Sequence, residues 1–175
     1  MAVVVQHMVD ARAAGVFMTL NPVNGDRSKI VVESVWGLGE PLVSGTATPD
    51  RFIVDKVTRE VLEQSVATKT HRAARNPQTG RGIALSEVAP ADHEAPSLSR
   101  AELDLLIDIA RTVESRAGCP QDGEFAVHAD QIYLLQSRPE TVWSSKPRPR
   151  AAASAKALTH VVNALTGHGA TTSGD

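Results

Sequence analysis

Aromatic residues and cysteines are scarce in this chain. Phe, Trp and Tyr make up 3% of its 175 residues, so any core must consist mostly of Val, Leu, Ile and Ala. The one cysteine, Cys119, excludes an internal disulfide and offers no cysteine-based metal cluster. The length is nevertheless sufficient for one domain with a modest core.

An excess of charge of either sign is also absent. Lys and Arg number 18 and Asp and Glu number 20, and the net charge of -2 argues against general nucleic-acid binding. No apolar run reaches the roughly 20 residues that a membrane-spanning helix needs. No basic region precedes the apolar stretch at the N-terminus, so no signal peptide is predicted. We therefore expect a cytoplasmic protein with no membrane partner.

Two apolar runs near residue 130 organise the candidate site. Residues 120–127 and 132–139 flank a short polar break, a pattern that predicts a β-hairpin. If residues 129–131 form the loop, Glu124 lies directly opposite Gln136. Directly opposed residues of an antiparallel pair point to the same face of the sheet.

Two more polar side chains belong to this face of the hairpin. Strand alternation places Asp122 beside Glu124 and Arg138 beside Gln136. Magnesium prefers oxygen ligands, and the planar fork of arginine binds phosphate oxygens. The patch therefore suits a magnesium-bound polyphosphate, although a surface hairpin with a solvated polar face fits the same spacing.

The remaining strands and one helix predict an α+β fold. Apolar and β-branched runs indicate strands at 1–9, 16–20, 29–35 and 51–56, and the three valines of the first favour a buried central strand. The stretch 68–96 is rich in Pro, Gly and polar residues, which predicts a short strand and a long loop.

The main helix is expected between residues 99 and 118. Ser99 and Glu102 have the spacing of a capping box, and apolar residues recur at helical spacing after them. Gly118 follows where a left-handed C-cap is common. We expect this helix to pack on a mostly antiparallel sheet and to position the hairpin.

A family resemblance is carried by two segments, Pro-Gln-Asp-Gly-Glu at 120–124 and Leu-Leu-Gln-Ser-Arg-Pro-Glu-Thr-Val at 134–142. They resemble the end of the nucleotide-binding domain of the phosphoenolpyruvate synthase and pyruvate phosphate dikinase family, which rifampicin phosphotransferases share. The resemblance implies the C-terminal lobe of an ATP-grasp fold, with ATP and Mg²⁺ as ligands.

Roles for four residues follow from that resemblance. It implies that Glu124 and Gln136 are magnesium ligands, that Arg138 contacts the nucleotide phosphates as a catalytic residue, and that Asp122 lies at the nucleotide site. The family usually carries a branched apolar residue at the position of Gly123. Since glycine weakens a strand interior, we expect it to loosen Glu124.

The N-terminal segment resembles the same family. The segments 5–9, 15–19 and 21–22 are similar to the start of the second lobe, where a hinge strand reads the adenine edge through its backbone. The resemblance thereby implies nucleotide contacts by Gln6, Met8 and Val9. Judged on its residues alone, this stretch is more simply a strand that fills the core.

A glycine-containing loop carries two more candidate positions. Trp-Gly-Leu-Gly-Glu at 36–40 is neither a dinucleotide fingerprint nor a Walker loop, because no Gly-Lys-Ser/Thr follows. The longer run is similar to the family, and the resemblance implies that Glu40 and Glu33 lie near the nucleotide. The alternative for both is a solvated carboxylate.

The resemblance covers residues 1–142, which we interpret as a partial ATP-grasp domain, and residues 143–175 predict a Pro/Ala-rich linker and a disordered tail. No segment matches the family's first lobe or its phosphohistidine domain. We therefore expect a nucleotide-binding half-domain of a phosphotransferase that phosphorylates a histidine carrier and then pyruvate or another small acceptor. Its implied partner is a polypeptide carrying the missing parts. The alternative is a truncated fragment or interaction module without activity alone.

Overall fold

A computed structural model describes residues 3–143, which belong to one compact unit. The linker and tail predicted for 143–175 lie, apart from Trp143, outside the described residues. The fold is α+β, with a mostly antiparallel sheet and one main helix, as the sequence predicts. Within residues 3–143 no helix has the length and apolar character needed to cross a membrane.

The elements follow one another along the chain as β1 (Ala13–Met18), β2 (Lys29–Trp36), α1 (Glu40–Val43), β3 (Asp50–Asp55), β4 (Val61–Ser65), β5 (His71–Arg75), β6 (Ile83–Glu87), a 3-10 turn (Pro90–Asp92), α2 (Arg100–Ala117), β7 (Gln121–His128) and β8 (Gln131–Pro139). Six strands form an antiparallel sheet in the order β4-β3-β2-β1-β7-β8. Strands β5 and β6 pair separately.

Helix α2 covers one face of the sheet and closes the core. Buried side chains of this face come from the helix and from four strands: Ala13, Phe17, Ile30, Val32, Phe52, Val54, Leu103, Leu106, Ile107, Ala110, Phe125 and Val127. Both hydrogen bonds of the predicted capping box are present between Ser99 and Glu102, and Gly118 ends the helix at φ 69°. The helix prediction is therefore confirmed at both ends.

The strand predicted at residues 1–9 is wrong over its described part. Residues 3–9 form no strand, and Val3, Val4 and Val5 are 77–93% exposed. A β-strand needs a neighbouring strand to satisfy its backbone groups, and none of the described strands pairs with residues 3–9. The chain enters the sheet only near Arg12, whose amide bonds to the carbonyl of Val127 at 2.8 Å.

The sequence predicts too few strands between residues 57 and 96. No strand is predicted at β4, whose four residues after Val61 are exposed at the edge of the sheet and mostly polar. The expected short strand and loop are a complete hairpin, β5–β6, whose turn contains Gly80 and Gly82 at φ 63° and 74°. Neither strand has the strict apolar alternation from which a half-buried strand can be predicted.

Candidate functional site

The sheet face opposite α2 carries a row of side chains across five neighbouring strands. Glu33 on β2 is opposite Val16 on β1, which is opposite Glu124 on β7, which is opposite Gln136 on β8. Arg51 on β3 extends the row beyond Glu33. Because opposed residues share a face, these five side chains line one surface. We call this surface the open face.

A second row lies two residues away from the first on β1, β7 and β8. Met18 on β1 is opposite Asp122, which is opposite Arg138 on β8. The Nε atom of Arg138 lies 3.7 Å from Oδ2 of Asp122, and the arginine side chain remains 70% exposed. Burial raises the pKa of the Asp122 carboxyl, while Arg138 lowers it and Glu140 raises it. The guanidinium is thus held beside a carboxylate with most of its surface free for a ligand.

The hairpin brings Glu124 opposite Gln136, as predicted, but by a different route. The loop has two residues, Ala129 and Asp130, both at positive φ (47° and 60°), instead of the three expected. A register shift next to Glu124 then supplies the extra residue, Leu135. Such a β-bulge often aims side chains at a functional site. Here it restores the pairing that a longer loop would have produced.

Two hollows on the open face meet at Glu124. The smaller, of about 130 Å³, is lined by polar side chains of β7 and β8 and by β1, including Val16, Met18, Asp122, Glu124, Gln136 and Arg138. The larger, of about 410 Å³, is lined by Ala14, Val16, Gly39, Glu40, Leu42, Val43, Ser44, Glu124 and Leu135. A polar compartment therefore adjoins a more apolar one along strand β1.

The oxygen donors of the smaller hollow fit a magnesium ion that is also held by a ligand. Glu124, Asp122 and the amide of Gln136 offer hard oxygen donors, and Arg138 stands beside them. Among residues 3–143 no three His, Cys, Asp or Glu side chains form a group that could hold a metal ion by themselves. The donor set therefore suits an ion bound through phosphate oxygens and water rather than one in a protein cage.

The structure brings most of the candidate residues to the open face or its hollows. They are Glu33, Glu40, Asp122, Glu124, Gln136 and Arg138, of which Glu40 is the first residue of α1. The N-terminal candidates lie elsewhere. Gln6 and Met8 are exposed in the irregular segment before β1, and Val9 is half-buried there. None of these three lines either hollow.

Sequence reasoning missed Arg51. Its Nε lies 3.7 Å from Glu33 Oε1, and its Nη1 lies 3.8 Å from Glu63 Oε1. The Nε atom is buried and has no hydrogen-bond partner among the described residues. In the sequence, Arg51 is recognisable only as a single basic residue before the apolar residues of a predicted strand. The β2–β3 register is needed to show that it stands beside Glu33.

The class of protein follows from a comparison with known families. A family model described as "Pyruvate phosphate dikinase, AMP/ATP-binding domain" matches residues 1–158, so the chain belongs to that family. The resemblance noted in the sequence is thereby confirmed.

Curated relatives include two kinds of enzyme. The chain is 45% identical over 146 residues to the prodigiosin synthesizing transferase PigC of Serratia marcescens, covering 83% of this chain and 16% of that protein. It is 39% identical over 173 residues to the phosphoenolpyruvate synthase of Aeropyrum pernix, covering 83% of this chain and 21% of the relative. The phosphoenolpyruvate synthase of Pyrococcus furiosus is 39% identical over 147 residues, with 81% and 18% covered. The chain therefore spans about a fifth of the length of these relatives.

Proposed function

We propose that this chain is the magnesium- and ATP-binding half of a phosphotransferase site, equivalent to the C-terminal lobe of an ATP-grasp fold. The observation that carries the proposal is the shared face of Glu124, Gln136, Asp122 and Arg138 on one hairpin. Two independent features, the residue register and membership of an AMP/ATP-binding family, support the same ligand.

The phosphates would occupy the smaller hollow. Glu124 and Gln136 would hold Mg²⁺, which when bound neutralises part of the polyphosphate charge. Arg138 would bind phosphate oxygens through its planar fork, and its exposed position leaves that fork accessible. Asp122 would keep the guanidinium in place through their 3.7 Å contact.

The ribose and base would extend into the larger hollow. Its apolar lining by Ala14, Val16 and Leu135 suits a base, and Glu40 and Ser44 supply polar groups at its edge. Glu33 lies in the same row as Glu124 but one strand beyond Val16, about 10 Å away at ordinary strand spacing. Glu33 would therefore act through charge rather than by direct contact with the same metal ion.

The segment 3–9 would complete the base site only in a larger assembly. In this proposal the backbone of Gln6, Met8 and Val9 contacts the adenine edge once the segment pairs with a lobe outside the described residues. The full reaction, phosphorylation of a histidine carrier and then of pyruvate or another small acceptor, would likewise need polypeptide beyond these residues. We infer that this chain binds and orients the nucleotide and does not complete the transfer alone.

Calorimetric titration tests this function directly. Mg-ATP is titrated into the full chain and into Glu124→Gln, with Glu87→Gln on the β5–β6 hairpin as the matched control. The proposal expects binding to the wild type and to the control, and loss of the magnesium-dependent part in Glu124→Gln. Equal affinities for all three proteins, or no heat with any protein even when a first-lobe polypeptide is added, would refute it.

A non-catalytic interaction module is the second candidate function. The observation in its favour is the row of exposed valines at positions 3, 4 and 5, since exposed apolar segments mark interaction surfaces. Sedimentation of the purified chain separates the two candidates. Self-association that nucleotide does not alter, combined with absent nucleotide binding, would favour the interaction module.

A further inference from the structure

Strand β8 carries two of the proposed ligand-binding side chains but lies at the edge of the sheet. It pairs with β7 on one side and with no described strand on the other. Edge strands are held by half of the hydrogen bonds available to a central strand. The position of Arg138, next to the end of β8, therefore depends on how residues 140–143 anchor that end.

The segment after β8 folds back on itself at Glu140. The Glu140 amide donates to the carbonyl of Pro120 at 2.9 Å, which continues the attachment to the start of β7. Its carboxylate is nearly buried and accepts hydrogen bonds from the backbone amides of Val142 at 2.6 Å and Trp143 at 2.9 Å. This turn directs the Trp143 side chain toward the loop that follows β1.

The indole of Trp143 joins the end of β8 to that loop. Its Nε1 donates to the carbonyl of Pro22 at 2.9 Å. The ring packs over Gly25, where a Cβ atom would lie 2.5 Å from the ring. Gly25 also has a φ of 75°, which disfavours other residues. The ring therefore fills the space that only a glycine leaves open.

We propose that Trp143 is a positioning residue for Arg138. The turn at Glu140 and the indole together tie the end of β8 to the β1–β2 loop, so that the strand cannot lift from β7 and the guanidinium stays beside Asp122. The consequence for ligand binding rests on the phosphate-binding role proposed above. The placement of Arg138 itself does not.

The first test needs no nucleotide. In Trp143→Ala, amide exchange at Glu140 should rise by at least about tenfold, and the Arg138 Nε–H signal should shift in NMR spectra. Trp36→Phe is the matched control, because Trp36 also donates its indole N–H to a backbone carbonyl, that of Asp92 at 3.1 Å. Unchanged Glu140 protection in Trp143→Ala would overturn the proposal, whatever the protein binds.

The second test asks whether the effect passes through Arg138. Trp143→Ala should weaken Mg-ATP binding by about tenfold in the wild-type background and have no further effect in Arg138→Ala. Trp143→Phe, which keeps the ring and loses the indole donor, should recover part of the loss. Equal weakening in both backgrounds would show that Trp143 acts on general stability instead. If the wild-type chain binds no Mg-ATP, the proposed function fails, and the exchange measurements still decide the positioning role.

Discussion

The Phe17 ring occupies the space above Gly123 on the neighbouring strand, where a Cβ atom would overlap the ring. The two residues are directly opposed in the β1–β7 pair, on the face covered by α2. Gly15 and Phe125 form the reciprocal pair, with Phe125 Cζ 2.9 Å from a Cβ at Gly15. The Phe17 ring therefore fills the space that a side chain at position 123 would occupy, and the loosening of Glu124 by this glycine stays a prediction.

This relationship predicts that Gly123→Ala destabilises the fold. The added methyl group must displace a buried ring, which costs about 1–3 kcal/mol in a packed core. Urea unfolding measures the loss, and Phe17→Leu should reduce it in the double variant because the shorter side chain withdraws the ring atoms. Gly39→Ala is the control, since a Cβ there would meet only Ala14 at an ordinary 3.5 Å. A fully stable Gly123→Ala would contradict the packing described.

A second prediction concerns Asp122 and the dependence of binding on magnesium. Asp122→Asn removes a negative charge beside Arg138, so metal-free ATP should bind more tightly while Mg-ATP gains less or weakens. Titrations with magnesium and with a chelator give the affinity for Mg-ATP divided by the affinity for metal-free ATP. This ratio should be lower in Asp122→Asn than in wild type. Asp104→Asn, at a surface Asp–Arg pair on α2, should leave the ratio unchanged. An unchanged ratio in Asp122→Asn would argue against phosphate binding in the smaller hollow.

A third prediction concerns the buried ion pair between Lys69 and Asp50, the first residue of β3. Asp50 is fully buried and accepts hydrogen bonds from Lys69 Nζ, from the Ala67 amide, and from both the amide and hydroxyl of Ser97. Asp50→Asn leaves the Lys69 charge buried without its partner, which should cost about 3–5 kcal/mol in unfolding free energy. Urea denaturation measures this cost.

The double variant Asp50→Asn with Lys69→Met provides the internal check on that prediction. It should lose less stability than the sum of the two single variants, because no uncompensated charge remains. Glu63→Gln, at the exposed edge of the sheet, should change stability by less than about 0.5 kcal/mol. Additive losses would mean that the two charges do not depend on each other.

The fourth prediction is a loss of stability in acid through Glu102. Burial raises the pKa of this carboxyl, but hydrogen bonds from Ser99 and Arg12 outweigh burial and hold the pKa below its ordinary value of 4.5. Because the folded-state pKa is lower than the unfolded one, the contribution is complete above pH 4.5 and is lost as the pH falls through the folded value. Urea midpoints measured across this range should decline less steeply in Glu102→Gln than in wild type. The exposed Glu94→Gln variant should follow the wild-type curve.

Much of the site could be predicted because it lies within one hairpin. Alternation along β7 and β8 is a local property, so the common face of Asp122, Glu124, Gln136 and Arg138 follows once the register is known. The predicted loop is one residue longer than the observed one, and the bulge at Leu135 compensates for the difference. The sequence signals neither the two-residue turn nor the bulge. The observed pairing of Glu124 with Gln136 therefore depends on the tertiary structure, which supplies both.

Sequence by itself determined the elements whose stability is local. The capping residues Ser99 and Gly118 define the ends of α2, and the apolar runs of β1, β2, β3, β7 and β8 commit those segments to strands. Tertiary structure alone decided which strands became neighbours. Because β7 pairs with β1 as well as with its neighbour in the chain, β8, Glu124 stands in line with Glu33, 91 residues away in sequence. The same arrangement pairs none of the described strands with residues 3–9, so the valines at 3–5 lack the partner that a β-strand requires despite their β-propensity.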